Sequence, residues 1–166
     1  MTKASGGKYL IFTLGKEEFG LSIQKVKEII GMMTITRVPK TSEYIKGVIN
    51  LRGKIIPVMD LRLKFGLDER TYDERTCLVV VEMTDNAKLI ALVVDSVSEV
   101  LNIQNAEIEL PPEYASQDDA GFLRGIGKVK DRVILLLDAD GVVGNQDLTY
   151  LRRNIDLGGE FHVQQA

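Results

Sequence analysis

His162 and Cys77 are each the only residue of their type in the chain, and there is no tryptophan. That inventory limits the chemistry at once. A zinc site draws on several cysteine and histidine ligands, and a Ser-His-Asp or Cys-His device needs a positioned histidine. His162 lies in the last five residues, where chains are loosely held. Cys77 opens the apolar run Cys-Leu-Val-Val-Val and reads as a buried small hydrophobe, although Arg75 stands close to it in sequence. Gly121 to Lys128 resembles a phosphate loop only superficially. The glycine spacing is five, not four, and Val129 stands where a hydroxyl should follow the lysine. Asp60 and Asp138 could do acid–base work if held together, but both sit at strand ends where a helix or turn cap explains them. Asp118 and Asp119 have no third ligand nearby for calcium. The expectation is no catalytic residue, no metal and no cofactor.

Arg52 is different. It stands at the tip of an Asn-Leu-Arg-Gly turn between strongly apolar strands. Two readings stay open: a solvated turn arginine, or a fixed guanidinium that holds a partner or pins two parts of the fold together.

The elements that must position such a residue are short strands. Turn signals recur every eight to twelve residues. Tyr9–Leu14 and Phe19–Ile23 flank Gly-Lys-Glu-Glu, and Val48–Leu51 and Ile55–Met59 flank Arg52-Gly53-Lys54. Leu78–Met83 pairs in the same way with Leu89–Val94, and Ile126–Val129 with Val133–Leu137. Pro57 argues for an edge strand or a bulge. Helices are few and short: one capped by Ser42, one capped by Asp60 and stopped by Gly66, and one over Leu148–Arg153. Tyr114–Ala120 reads as a loop.

The halves repeat. A shift of 71 lays Leu21 on Leu92, Val26 on Val97, Glu28 on Glu99 and Ile29 on Val100. A shift of 78 lays Gly47 on Gly125, Ile56 on Ile134 and Asp60 on Asp138. Order, spacing and turn chemistry agree. The expected architecture is mainly β, two five-stranded barrels packed as a pseudo-repeat over residues 8–75 and 76–145, with a helix and tail over 146–166. Three runs are apolar at successive positions: residues 77–81, 89–94 and 133–137. Such strands are buried on both faces, so the two barrels should share an apolar interface.

Composition narrows the function further. The 166 residues carry 21 basic and 24 acidic side chains, a net charge of −3, which disfavours nucleic acid as a partner. The longest apolar run is six residues, Leu89–Val94; a membrane helix needs roughly 18–20. No apolar signal region is expected in the first residues, and a single cysteine favours a reduced, cytoplasmic compartment.

Three stretches, YLIFTLGKEEFGLSIQKVKEI, IKGVINLRGKIIPVMDLR and ALVVDSVSEVL, resemble the CheW family of bacterial chemotaxis coupling proteins, from about Tyr9 to about Tyr150. The NLRG-x-IIPV-x-DLR segment is the most specific element. The same fold occurs at the end of the kinase CheA and the start of the coupler–receiver fusion CheV, but this chain lacks the length for their other domains. The resemblance implies two five-stranded barrels, no catalysis, and a scaffold that bridges the cytoplasmic tip of chemoreceptors to the histidine kinase CheA in membrane-associated arrays. It implies a receptor surface at Val26, Glu28, Arg52, Val97 and Val100, and kinase contacts at Lys46, Ile55 and Tyr114. The valines suit small apolar anchors for a helical hairpin, with Glu28 and Arg52 at a charged rim; plain core packing is the alternative for Val26 and Val97. The rival functions are a small β-barrel enzyme or ligand-binding domain, and a coupling module of another sensory complex.

Overall fold

The computed structural model describes residues 4–84, 87–112 and 122–144. The chain is mainly β. Eleven strands are described: β1 Gly7–Leu14, β2 Glu17–Ser22, β3 Val26–Gly31, β4 Ile45–Leu51, β5 Lys54–Asp60, β6 Cys77–Glu82, β7 Leu89–Val94, β8 Ser96–Ile103, β9 Ile108–Glu109, β10 Leu123–Val129 and β11 Arg132–Leu137. Two short helices join them, α1 Leu61–Lys64 and α2 Ala139–Val143. Asp60 caps α1 by accepting from the Leu63 N–H, and Asp138 caps α2 by accepting from the Gly141 N–H. The two aspartates are therefore equivalent caps, as their spacing implied. No helix follows Ser42. A turn closes there, with the Ile45 N–H donating to the Ser42 carbonyl, and β4 begins at once. Tyr114, Asp118, Asp119, the terminal helix expected over Leu148–Arg153 and His162 lie outside the described residues.

The strands form two sheets, one of five in the order β3-β6-β7-β5-β4 and one of six in the order β8-β1-β2-β11-β10-β9. Exchange β1 with β6, β2 with β7, β3 with β8, β4 with β10 and β5 with β11, and the first order becomes the second, with β9 added. The register repeats too. Val58 stands opposite Ala91 in a parallel pair, and Leu136 opposite Gly20. A bulge follows Val26 in β3 and its equivalent in β8, and another opens β4 and β10. The repeat is therefore present in the pairing itself.

What the repeat did not reveal is which hairpin serves which sheet. The hairpin β1–β2 pairs with β8 and β11, while β6–β7 pairs with β3 and β5. Each sheet borrows its central hairpin from the other half of the chain. A cut at residue 75 would not separate the sheets, since each contains strands from both sides of it. Neither sheet closes into a barrel by a continuous ladder among the described residues. Instead, the chain beyond β3 returns to β4 through the Thr36–Val48 bridge, and the chain beyond β8 becomes β9 on β10.

Pro57 is not on an edge strand. β5 lies between β7 and β4, but its ladder to β7 starts only at Val58, so the proline precedes the doubly paired stretch.

The buried side chains fall into three clusters. One lies inside each curled sheet. The third and largest lies between the sheets. Leu10, Phe12 and Leu14 of β1 face this central cluster, while Tyr9 and Ile11 face the interior of their own sheet. Val79 and Val81 of β6 likewise alternate with Leu78 and Val80. The apolar runs over residues 77–81 and 89–94 are buried on both faces, as expected, whereas the run over 133–137 is so only in part: Val133 is exposed and Leu135 half-buried. Each fully buried Val, Leu or Phe contributes about 1.5–3 kcal/mol. Phe12, Phe19, Phe65 and Phe122 carry the central cluster outward as a file of rings with centroids 5.7, 5.7 and 5.1 Å apart. Cys77 is half-buried rather than buried, with its thiol 3.2 Å from the Arg75 carbonyl.

Gly47 opens the β4 bulge with φ of 138°, and a Cβ there would lie 2.1 Å from the Thr36 carbonyl oxygen. That contact is the bridge by which the chain beyond β3 returns to β4. Gly47→Ala should lower the urea-derived stability by about 3 kcal/mol, at the upper end of ordinary substitutions. Gly31→Ala, with nothing within 4 Å of the new methyl, should stay within about 0.5 kcal/mol of wild type. Equal urea midpoints for the two variants would show that the close approach at Gly47 does not limit stability.

Candidate functional site

The β4–β5 hairpin turns at Arg52 and Gly53, whose φ values of 52° and 90° are both positive. Positive φ at both central residues matches the right-handed twist of a two-residue hairpin. The Asn50 side chain accepts from the Gly53 N–H at 2.8 Å and fixes the turn. Asparagine, arginine and glycine of the Asn-Leu-Arg-Gly motif thus each have a place in the geometry. Arginine carries a steric cost in this left-handed region.

Arg52 is 68% exposed, yet it is not a free turn residue. Its Nη2 donates to Oε1 of Glu28 on β3. β3 and β4 are opposite edges of the five-stranded sheet. The ion pair therefore joins the two ends of one sheet; it does not pin the two sheets to each other. The hydrogen bond from Arg52, helped by its charge, holds the Glu28 carboxyl below the usual glutamate range.

The six-stranded sheet has a counterpart. Glu99 occupies the place of Glu28, and Arg132 lies 3.0 Å from it. Arg132 also donates from Nε and Nη2 to both carboxylate oxygens of Glu18, at 3.1 and 2.6 Å. That second clamp is more enclosed, and the bond from Arg132 lowers the Glu18 carboxyl.

The valines are arranged by the bulges. Val26 stands opposite Val81, and Val97 opposite Phe12. Residues directly opposite in an antiparallel ladder share a face, and Val81 and Phe12 both belong to the central cluster. Val26 and Val97 are half-buried against that cluster, so they do serve the core. Past each bulge, Ile29 stands opposite Val79 and Val100 opposite Leu10, again on the central face. These two are exposed, at 43% and 49%. The central core therefore runs outward along both edge strands into an apolar rim: Val26 and Ile29 on one sheet, Val97 and Val100 on the other. Ile29 was not singled out from the sequence. Its alignment with Val100 in the repeat was the available signal.

The expected kinase contacts do not converge. Lys46 lies in the β4 bulge, with its Nζ 3.8 Å from the Glu69 carboxylate. It borders a cavity of about 350 Å³ whose mixed lining includes Arg37, Glu43 and Glu69 beside Ile35, Ile45 and Leu63. Ile55 stands opposite Asn50 at the other end of the hairpin, beside Arg52. Four residues of strand, about 13 Å, separate the two levels. Tyr114 lies outside the described residues. Among the described residues, no group of three metal-ligating side chains occurs, and no helix is long and apolar enough to cross a membrane.

A polar cluster around Asp95 escaped the sequence reading, although Asp60 at its border was noted as a cap. Asp95 is nearly buried and is met by Arg62 at 2.7 Å and Arg70 at 3.1 Å. Tyr72 donates to Asp60 at 2.7 Å close by. Burial, then the bond to Asp60, pushes the Tyr72 hydroxyl far above the usual tyrosine range.

Known proteins share both the sequence and the fold over most of the chain. The CheW-like domain profile matches residues 8–147. The chain is 39% identical over 143 residues to the chemotaxis protein CheW of Klebsiella aerogenes, covering 86% of this chain and 85% of that protein. It is 32% identical over 144 residues to the chemotaxis protein CheW of Rhizobium meliloti, covering 86% and 92%. The crystal structure of the scaffolding protein TtCheW from Thermoanaerobacter tengcongensis superposes with a TM-score of 0.77 at 36% identity, over 86% of this chain and 95% of that one. A family profile over most of the chain, relatives above 30% identity and a shared fold lead to one conclusion: the chain belongs to the CheW-like family.

Proposed function

We propose that this chain is a non-catalytic coupling adaptor of bacterial chemotaxis, working in the cytoplasm at membrane-associated receptor arrays. It bridges the cytoplasmic hairpin tip of chemoreceptors to the regulatory domain of the histidine kinase CheA. The observation that carries the reading is the two-sided apolar rim, Val26 and Ile29 facing one way along β3, Val97 and Val100 along β8. Exposed β-branched side chains continuous with a core suit the apolar stripe of a helical partner. The Glu28–Arg52 pair stands at one side of that rim and offers both signs of charge for register. The names of the relatives support the same reading, since they are chemotaxis proteins and a scaffolding protein.

On the kinase side, Lys46 and Ile55 lie at opposite ends of one hairpin, so they fit two separate contacts rather than one; Tyr114 stays a third candidate. The reading of each curled sheet as a small barrel is supported by the Thr36–Val48 bridge and by the passage of the chain from β8 into β9. The two copies over 8–75 and 76–145 are best regarded as repeats that interlock.

Two measurements test the rim. Arg52→Ala should weaken binding of a receptor hairpin fragment about tenfold, the loss of one charge-assisted contact, and Val100→Asp should weaken it further. Because both side chains are exposed, urea midpoints should stay near wild type. Affinities unchanged in both variants would remove the rim as the docking surface. The ion pair is tested separately by following the Glu28 carboxyl by NMR titration. A carboxyl lowered in the folded state stabilises above its unfolded value and loses that contribution as pH falls through the folded value. The Glu28–Arg52 bond should therefore persist at neutral pH and open only in acid. In Arg52→Ala the Glu28 titration should move up to the ordinary range; an unmoved curve would mean that Arg52 does not hold Glu28 in solution.

A further inference from the structure

β7 belongs to the five-stranded sheet and β8 to the six-stranded one, and a single residue, Asp95, lies between them. The chain changes sheets there within one residue. Crossovers this short leave the relative setting of the two sheets to whatever fixes that residue. Asp95 is fixed from every side. Its N–H donates to the Thr13 carbonyl at 3.0 Å. Its Oδ2 accepts from the Gly15 N–H at 2.7 Å, from Arg62 Nη1 at 2.7 Å and from Arg70 Nη1 at 3.1 Å. The three donors come from three places: the β1–β2 turn of the six-stranded sheet, helix α1 following β5 of the five-stranded sheet, and the segment connecting the two halves of the chain. The next residue, Ser96, shares a 2.6 Å hydroxyl contact with Thr13.

The arginines are themselves held. Arg62 Nε donates to the Asp68 carbonyl at 2.9 Å, and Arg70 Nη2 lies 3.3 Å from Asp73. Asp73 in turn accepts from the Arg75 and Thr76 N–H groups. Charge-assisted bonds at a site only 8% exposed are strong and little screened by salt. The first copy fastens its crossover with the charges reversed: Lys25 Nζ lies 3.0 Å from the carboxylate of Asp140 on α2, and Asp140 accepts from the Thr84 N–H, just after β6, at 2.9 Å. There the chain passes from β2 to β3 through a 3-10 turn, Ile23–Lys25, and the position equivalent to Asp95 is the exposed Gln24.

We infer that Asp95 is a positioning residue: with Arg62 and Arg70 it locks the one-residue crossover between the sheets, and so sets where Val97 and Val100 of β8 stand relative to Val26 and Ile29 of β3. The lock lies in the fold itself; its consequence for receptor binding rests on the docking role proposed for the rim.

The test uses the full chain with Cys77→Ala and two spin labels. One pair reads between the sheets, at Lys54 on β5 and Asn102 on β8. A control pair reads within the five-stranded sheet, at Lys54 and Lys27. Asp95→Asn removes the charge while keeping an acceptor for Gly15. Arg70→Gln removes one guanidinium that is 48% exposed, so that variant retains the fold even if the first does not. The expected result is a broadened between-sheet distance distribution in both variants, an unchanged control pair, and an affinity for the receptor hairpin fragment about tenfold weaker. An unchanged between-sheet distribution overturns the inference. So does broadening of the control pair in Arg70→Gln, which would mark a general structural role, or broadening between sheets with wild-type affinity. If the parent protein fails to bind the fragment, the docking reading falls instead, and the distance pair still decides whether Asp95 sets the relation of the sheets.

Discussion

β1, β6, β7 and β11 have almost no polar face along their buried length. Strands of that composition must be covered on both sides, because exposing either face returns about 25 cal/mol for every Å² of apolar surface to water. One sheet cannot cover itself twice. Curling covers the inner face, with Tyr9, Ile11, Ile134 and Leu136 inside one sheet and Leu78, Val80, Ala91 and Val93 inside the other. The outer face then requires a second sheet of the same kind. The central cluster of Leu10, Phe12, Val79, Leu92 and their neighbours is the result. Everything of functional interest hangs on it. The rim is where this cluster reaches the edge strands, and the Asp95 cluster stands where the chain crosses from one of its walls to the other.

Polar groups mark the boundaries of that apolar interior. Asp60 and Asp138 end strands and start helices. Glu28 and Glu99 occupy equivalent places, but their partners differ. Arg52 reaches Glu28 from an exposed turn, whereas Arg132 grips Glu18 with two bonds and Glu99 with a third contact. Duplication has kept the frame and let the two surfaces diverge. An exposed single contact can exchange one carboxylate for another, while a multidentate one is better suited to holding strands in place.

Much of this was legible in the residues. The hairpins around Gly15, Arg52 and Lys130 carry local turn chemistry, and the caps at Asp60 and Asp138 are local too. Runs such as residues 77–81 announce two-sided burial because no alternation interrupts them. The repeat could be read since both copies kept their spacing. β3 and β8 were harder. Each is broken by a bulge, so neither period two nor a continuous run is visible in Val-Lys-Glu-Ile-Ile or Ser-Val-Ser-Glu-Val. The exchange of hairpins was not legible at all: β1–β2 and β6–β7 offer similar apolar faces, and nothing local states which sheet each will join. The site shows the same division. Arg52 stood out through its turn, but its partner Glu28 is 24 residues away and the three donors on Asp95 come from 25 to 80 residues away. Contacts at such separations leave no mark on local pattern.

The exchange of hairpins also has a consequence during synthesis. β1 and β2 are made first, yet the strands that flank them, β8 and β11, end at Ile103 and Leu137. At roughly 5–20 residues per second, a ribosome needs about 6–23 s to travel from the end of β2 to the end of β11. Until β8 is made the nascent chain carries an apolar hairpin with both edges open, and the edge of β2 stays open until β11 follows. The strands β3 to β5 meet a similar delay until β6 and β7 appear. The first half cannot complete a sheet without strands of the second, so the chain commits to its fold late: the five-stranded sheet has all its strands once β7 is made, and the six-stranded sheet only with β11. A protein built this way depends on the nascent hairpin being shielded, or on the second half arriving before two unfinished chains meet and trade the hairpins with each other.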